Sequence, residues 1–133
     1  MRGVDALSPL PVVLVVDDER GVRELLRQVL PRAGFTVLDA WSAERATEIL
    51  ASGPVSLAIC DHHLPGKDGL WLGKHIQELF PGVATLFMSG DAEALHAARP
   101  LGFSGYVAKP FDPKGLVQAI QHALARHADR EQR

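Results

Sequence analysis

The run Val12-Val13-Leu14-Val15-Val16, closed by Asp17 and Asp18, constrains this chain more than any other feature. Five consecutive apolar residues, mostly β-branched and with no polar alternation, describe a strand buried on both faces. Such a strand needs cover on two sides, which helices in crossover connections provide. The rest of the chain repeats the device. Residues 19–34 place Val22, Leu25, Leu26, Val29 and Leu30 at helical spacing, with Pro31 and Gly34 as the stop. FTVLDA (35–40) is a second strand. Ser42 caps a helix over 43–51, without the acidic partner of a capping box, and Gly53-Pro54 end it. VSLAIC (55–60) is a third strand that runs straight into Asp61, and HHLPGKDG (62–69) is a turn-rich loop. The third helix covers 70–80, with Leu70, Ile76, Leu79 and Phe80 sharing a buried face. VATLFM (83–88) is the fourth strand, followed by a short helical stretch from Asp91 to about Ala98 that Pro100 and Gly102 end. SGYVA (104–108) is the fifth strand. Asp112 and Pro113 open the last helix, whose apolar face is Leu116, Val117, Ile120, Ala123 and Leu124.

Strand and helix therefore alternate five times, with no internal repeat. Crossovers of this length imply parallel pairing and right-handed connections. The expected architecture is α/β: a doubly wound, five-stranded parallel sheet with helices on both faces. Residues 12–127 form the domain, with an N-terminal tail over 1–11 and a polar, fraying C-terminal tail over 128–133. With 47% apolar and 23% charged residues, disorder is expected only at the ends. A formal net charge of -2 and the lack of a basic stripe argue against nucleic-acid binding by this domain. No apolar run is long enough to span a bilayer, and the start does not read as a signal peptide. One cysteine, Cys60, excludes a disulfide framework and fits a reducing, cytoplasmic setting.

Sheets of this kind place their sites beyond the carboxyl ends of the strands. Four positions qualify: Asp17-Asp18, Asp61, Ser89 and Lys109. Three carboxylates on one rim repel one another and call for a counter-charge. A divalent cation with oxygen ligands, Mg²⁺ above all, supplies it; helix capping by the acidic residues is the plainer alternative. A backbone carbonyl of the loop, at His63, is a further candidate ligand. A carboxylate at Asp61 is able to attack phosphorus and form an acyl phosphate. Lys109 pairs with Asp61 at rest and with a phosphate oxygen after transfer, and the Lys109-Pro110 bond is a candidate for the cis form. The Ser89 hydroxyl is read equally as a hydrogen-bond donor to a phosphate oxygen or as a helix N-cap. Tyr106 is read equally as a core aromatic or as a ring that changes exposure.

Other conspicuous residues receive plainer readings. His62 and His63 lack a further ligand at zinc spacing, and their side chains are expected to diverge if the segment is extended. Cys60 and Met88 read as core. Trp41 and Trp71 are read as core or as partly exposed contact residues.

With these residues in place, the chain resembles the receiver domain of bacterial two-component response regulators. The resemblance rests on VVDDE (15–19), LAICDHHLPGKDG (57–69), LFMSG (86–90) and YVAKPF (106–111), in family order across residues 12–127. It implies a flavodoxin-like (βα)5 fold and a Mg²⁺ cofactor held at the acidic pocket of Asp17, Asp18 and Asp61. It further implies phosphorylation of Asp61 by a partner histidine kinase or histidine phosphotransfer protein, with slow self-catalysed hydrolysis. Ser89 would be the switch hydroxyl, Tyr106 the switch aromatic and Lys109 the lysine before cis-Pro110. Output would pass through the face of helix 4, strand 5 and helix 5, to a downstream protein or a second copy. Two departures stand out: His62-His63-Leu64 before Pro65, and a segment from Ser89 to Gly102 about two residues short. Either a single-domain regulator or a receiver cut from a longer regulator or hybrid kinase fits. An aspartyl phosphatase would need an acid-base carboxylate just beyond Asp61, where His63 stands instead.

Overall fold

The computed structural model describes residues 9–132. Five strands, β1 (Val12–Val16), β2 (Thr36–Ala40), β3 (Leu57–Asp61), β4 (Ala84–Ser89) and β5 (Gly105–Ala108), form one parallel sheet in the order β2-β1-β3-β4-β5. The helices are α1 (Arg20–Arg32), α2 (Ala43–Ser52), α3 (Gly69–Leu79), α4 (Ala92–Ala98) and α5 (Pro113–Glu131), with a 3-10 turn at Arg99–Leu101 after α4. The strand order reverses beside β1, so the connections leaving the paired strands β1 and β3 turn to opposite sides and leave the crevice that open α/β sheets use for ligands. No helix among the described residues is long and apolar enough to cross a membrane.

The two-residue period of each strand sorts the core. Val13, Val15, Ile59, Leu86 and Met88 pack with Leu26 and Leu30 of α1 and Leu116 and Ile120 of α5. Leu14, Val16, Ala58 and Cys60 face the other way, onto Ala46 and Leu50 of α2 and Leu72 and Ile76 of α3. A smaller cluster of Phe87, Ala98 and Phe103 lies under the short α4, with Tyr106 against it. β1, β3 and β4 are almost wholly buried, which is why these segments carry no polar alternation.

One local expectation is corrected and two others gain detail. Leu79 is 61% exposed; the buried face of α3 is Gly69, Leu72, Gly73 and Ile76, and Leu79 is the last residue of the helix, beyond that face. In the expected tail over 128–133, the last helix runs as far as Glu131. Its anchors are the Arg130 guanidinium, which donates to the Gly102 carbonyl at 2.8 Å, and His127 Nε2, which donates to the Pro81 carbonyl at 2.8 Å. The segment of His62 and His63 is not extended, since the chain leaves strand geometry after Asp61, and their rings stand 4.4 Å apart. The expected tail over 1–11 falls partly outside the described residues, at 1–8, as does Arg133.

Candidate functional site

Each candidate residue sits where a hydrogen-bond ladder ends. The Asp17 amide donates to the Ala40 carbonyl, His62 N–H to Met88 and Lys109 N–H to Ser89. The sheet therefore holds the backbone at every candidate position, and the side chains project beyond the last rung.

Asp17, Asp18 and Asp61 each present an oxygen within 4.8 Å of the others. Asp17 and Asp61 are buried and Asp18 is exposed. Lys109 reaches across from β5, with Nζ 2.8 Å from Asp17 Oδ2 and 3.1 Å from Asp61 Oδ1. Its pairing with Asp17 is the closer one, although the sequence suggested Asp61 alone. Glu19 is a further partner at 3.2 Å, signalled only by its place in the Val15–Glu19 segment. The Lys109-Pro110 peptide is cis.

One lysine does not neutralise this many carboxylates. Burial and then the neighbouring Asp17 charge push the Asp61 carboxyl up to about 6, against the downward pull of Lys109. Burial works against the charge of Lys109, yet its hydrogen bond to Asp17 and the Asp17 and Asp61 charges raise its pKa overall. Burial, with a smaller push from Asp61, lifts the Cys60 thiol to about 12, so this buried sulfur is an inert core group. Three converging carboxylates with a surplus of negative charge are a donor set for a hard, oxygen-loving divalent cation. The residues fit Mg²⁺.

The loop after Asp61 is built around backbone proximity. A Cβ on Gly69 would land on the Asp61 carbonyl, so α3 starts against the Asp61 backbone only because residue 69 is glycine. Gly66 has φ +73°, and Asp68 accepts from Trp71 N–H to cap α3. The turn composition was legible beforehand; the contact of Gly69 with Asp61 was not, since it joins two residues through space.

Ser89 is fully buried at the end of β4. Its Oγ accepts from Asp91 N–H at 3.0 Å and lies 3.3 Å from His62 Nδ1. Asp91 itself caps α4, accepting from Glu93 and Ala94. The sequence reading missed the His62 contact. Tyr106 is half-buried. Its hydroxyl accepts from Phe103 N–H at 3.0 Å and lies 3.2 Å from the Ala98 and Arg99 carbonyls, to which it donates. The ring is thereby tied to the end of the seven-residue α4. His63 is exposed.

The chain matches the family described as "Response regulator receiver domain" over residues 13–121. It is 35% identical over 127 residues to the transcriptional regulatory protein AruR of Pseudomonas aeruginosa, covering 90% of this chain and 52% of AruR. It is 34% identical over 119 residues to the C4-dicarboxylate transport transcriptional regulatory protein DctD of Rhizobium meliloti, covering 88% of this chain and 26% of DctD. The chain thus spans about a quarter to a half of these relatives' lengths. Among solved structures, it is similar to the signal receiver domain of an HD domain-containing protein from Pseudomonas fluorescens Pf-5. That match has a TM-score of 0.83 and 30% identity, covering 94% of this chain and 95% of that one. It is also similar to the response regulator TrrA from Thermotoga maritima in complex with Mg(2+)-BeF, with a TM-score of 0.79 and 26% identity, covering 86% and 99% of the two chains.

Proposed function

The chain belongs to the response regulator receiver domain family, and from that premise we propose that Asp61 is its phosphoryl-accepting residue, acting with Lys109 and Ser89. A receiver is a Mg²⁺-dependent phosphoacceptor switch that catalyses its own phosphorylation and hydrolysis, and the acidic cluster here suits that chemistry. The observation that carries the assignment is the placement of Asp61. It is buried at the end of a central strand, with the Asp17 and Asp18 carboxylates beside it and the Lys109 ammonium bridging it to Asp17.

An Asp61 oxygen attacks phosphorus, the bond from phosphorus to the donor's imidazole nitrogen breaks, and an acyl phosphate forms. Asp17, Asp18 and Asp61 would hold Mg²⁺, with the His63 main-chain carbonyl as a further ligand. When bound, the cation shields the charge that the phosphoryl oxygens bring to a carboxylate rim. Lys109 leaves its Asp17 and Asp61 partners to meet a phosphoryl oxygen, which its flexible stem permits. Ser89 donates its hydroxyl proton to another. The Mg(2+)-BeF named for the similar Thermotoga protein supports the Mg²⁺ part of this reading.

The donor would be a histidine kinase or histidine phosphotransfer protein. Val22, Leu25, Pro110 and Phe111 line an open groove beside Lys109, and an apolar helix face laid there would bring its histidine to the rim. Output would run through α4, β5 and α5, to a downstream protein or a second copy. Tyr106 would be the ring that reports on Ser89, although its hydroxyl must first release the Ala98 and Arg99 carbonyls. The test is intact mass after incubation with Mg²⁺ and acetyl phosphate. A gain of about 80 Da, lost in Asp61→Asn and lost without Mg²⁺, supports the assignment. A gain that persists in Asp61→Asn names a different nucleophile.

A further inference from the structure

The Ser89 hydroxyl carries one proton, and its use is decided by its neighbours. One Oγ lone pair is occupied by Asp91 N–H. The hydroxyl is fully buried, and a buried O–H without an acceptor is costly, so the proton must be given to something. Among the described residues, the remaining hydrogen-bond partner of this oxygen is His62 Nδ1 at 3.3 Å. Nδ1 is therefore the acceptor and the imidazole proton sits on Nε2, an assignment that follows from the network. His62 is itself held in place. Its amide donates to the Met88 carbonyl at 2.8 Å, and its ring lies 5.6 Å from Phe87 and 4.4 Å from His63.

We infer that His62 is a positioning residue that captures the Ser89 hydroxyl at rest, so that the proton Ser89 would give to a phosphoryl oxygen must first be withdrawn from His62. This rests on the phosphoacceptor reading of Asp61 and adds a resting-state latch to it. The latch stabilises the unphosphorylated arrangement by one hydrogen bond that phosphorylation must break. Replacing His62 by a ring with no acceptor leaves the buried hydroxyl without a resting partner. The penalty then falls on the resting state alone, because in the phosphorylated state the phosphoryl oxygen accepts the proton. A net hydrogen bond shifts such a balance by roughly 2- to 10-fold.

The experiment compares wild type, His62→Phe and His62→Asn for the rate of Asp61 phosphorylation by acetyl phosphate with Mg²⁺, followed by intact mass. His62→Phe keeps the aromatic packing and removes the acceptor; His62→Asn returns an acceptor, since Oδ1 takes the place of Nδ1. Phosphorylation should run about 2- to 10-fold faster in His62→Phe and return to the wild-type rate in His62→Asn. In a Ser89→Ala background the His62→Phe effect should vanish. Nitrogen-15 spectra of the wild-type imidazole should place its proton on Nε2, and Mg²⁺ with beryllofluoride should change the Nδ1 signal. Equal rates for His62→Phe and wild type, or a proton found on Nδ1 at rest, overturn the latch while leaving phosphorylation of Asp61 intact. If wild type itself takes no phosphate on Asp61, it is the underlying reading that fails, and the imidazole spectra still report separately on the hydrogen bond.

Discussion

Asp61→Asn should make the metal-free protein more stable at neutral pH, because the wild-type carboxylate is ionised in a place that resists ionisation. Its pKa rises from an ordinary 3.8 to about 6, through burial first and the Asp17 charge second. An acid with a raised folded-state pKa binds its proton more tightly when folded, so its ionisation costs stability above that pKa and the cost is relieved as pH falls. The gap in proton affinity is about 150-fold, or about 3 kcal/mol. Asparagine has nearly the shape of the protonated acid, so the variant should gain roughly that amount at pH 7.5 in EDTA. For a chain of 133 residues this corresponds to about 10 °C in Tm. Linkage gives the pH course: the gain shrinks through the window between pH 6 and 4, to about 1 kcal/mol at pH 4.5. Urea unfolding of both proteins at several pH values, in EDTA and then in excess Mg²⁺, measures this directly. Mg²⁺ should close the gap by stabilising wild type more than the variant, since binding to the folded state adds stability by mass action. A variant less stable than wild type at pH 7.5, or a difference that does not change with pH, would refute the claim that the site carries surplus negative charge.

Three further outcomes follow from the same geometry. Lys109→Met removes the cation between Asp17 and Asp61; it should cost roughly 3 kcal/mol or more in EDTA, and added Mg²⁺ should recover part of that in thermal unfolding. Gly69→Ala puts a methyl group onto the Asp61 carbonyl and should destabilise by roughly 1–3 kcal/mol in urea unfolding, while Gly21→Ala, with open space around it, should not destabilise. Arg130→Ala frees the Gly102 carbonyl, and amide exchange in the last turns of α5 should rise with a loss of about 1 kcal/mol.

The sheet and its helices were legible because each depends on local periodicity. An unbroken apolar run such as VVLVV can be buried only as a central strand, and β1 occupies that place. The acidic rim was legible too, since strand ends in a parallel sheet converge and Asp17, Asp18 and Asp61 follow from that rule. The errors arose where the third dimension intervenes. Leu79 fits an apolar stripe, but it is the last residue of α3 and the packed face ends at Ile76. Residues 128–131 look like a polar tail, yet hydrogen bonds from His127 and Arg130 to distant carbonyls hold the helix there. Glu19 beside Lys109, His62 beside Ser89 and Gly69 against Asp61 share no local pattern at all. The sequence by itself determined which elements form and which ends of the strands bear charge, because burial and periodicity are properties of neighbouring residues. Only the tertiary structure decided which side chain accepts each proton and which carboxylate the lysine holds, because those outcomes depend on angstrom-scale distances between residues far apart in the chain.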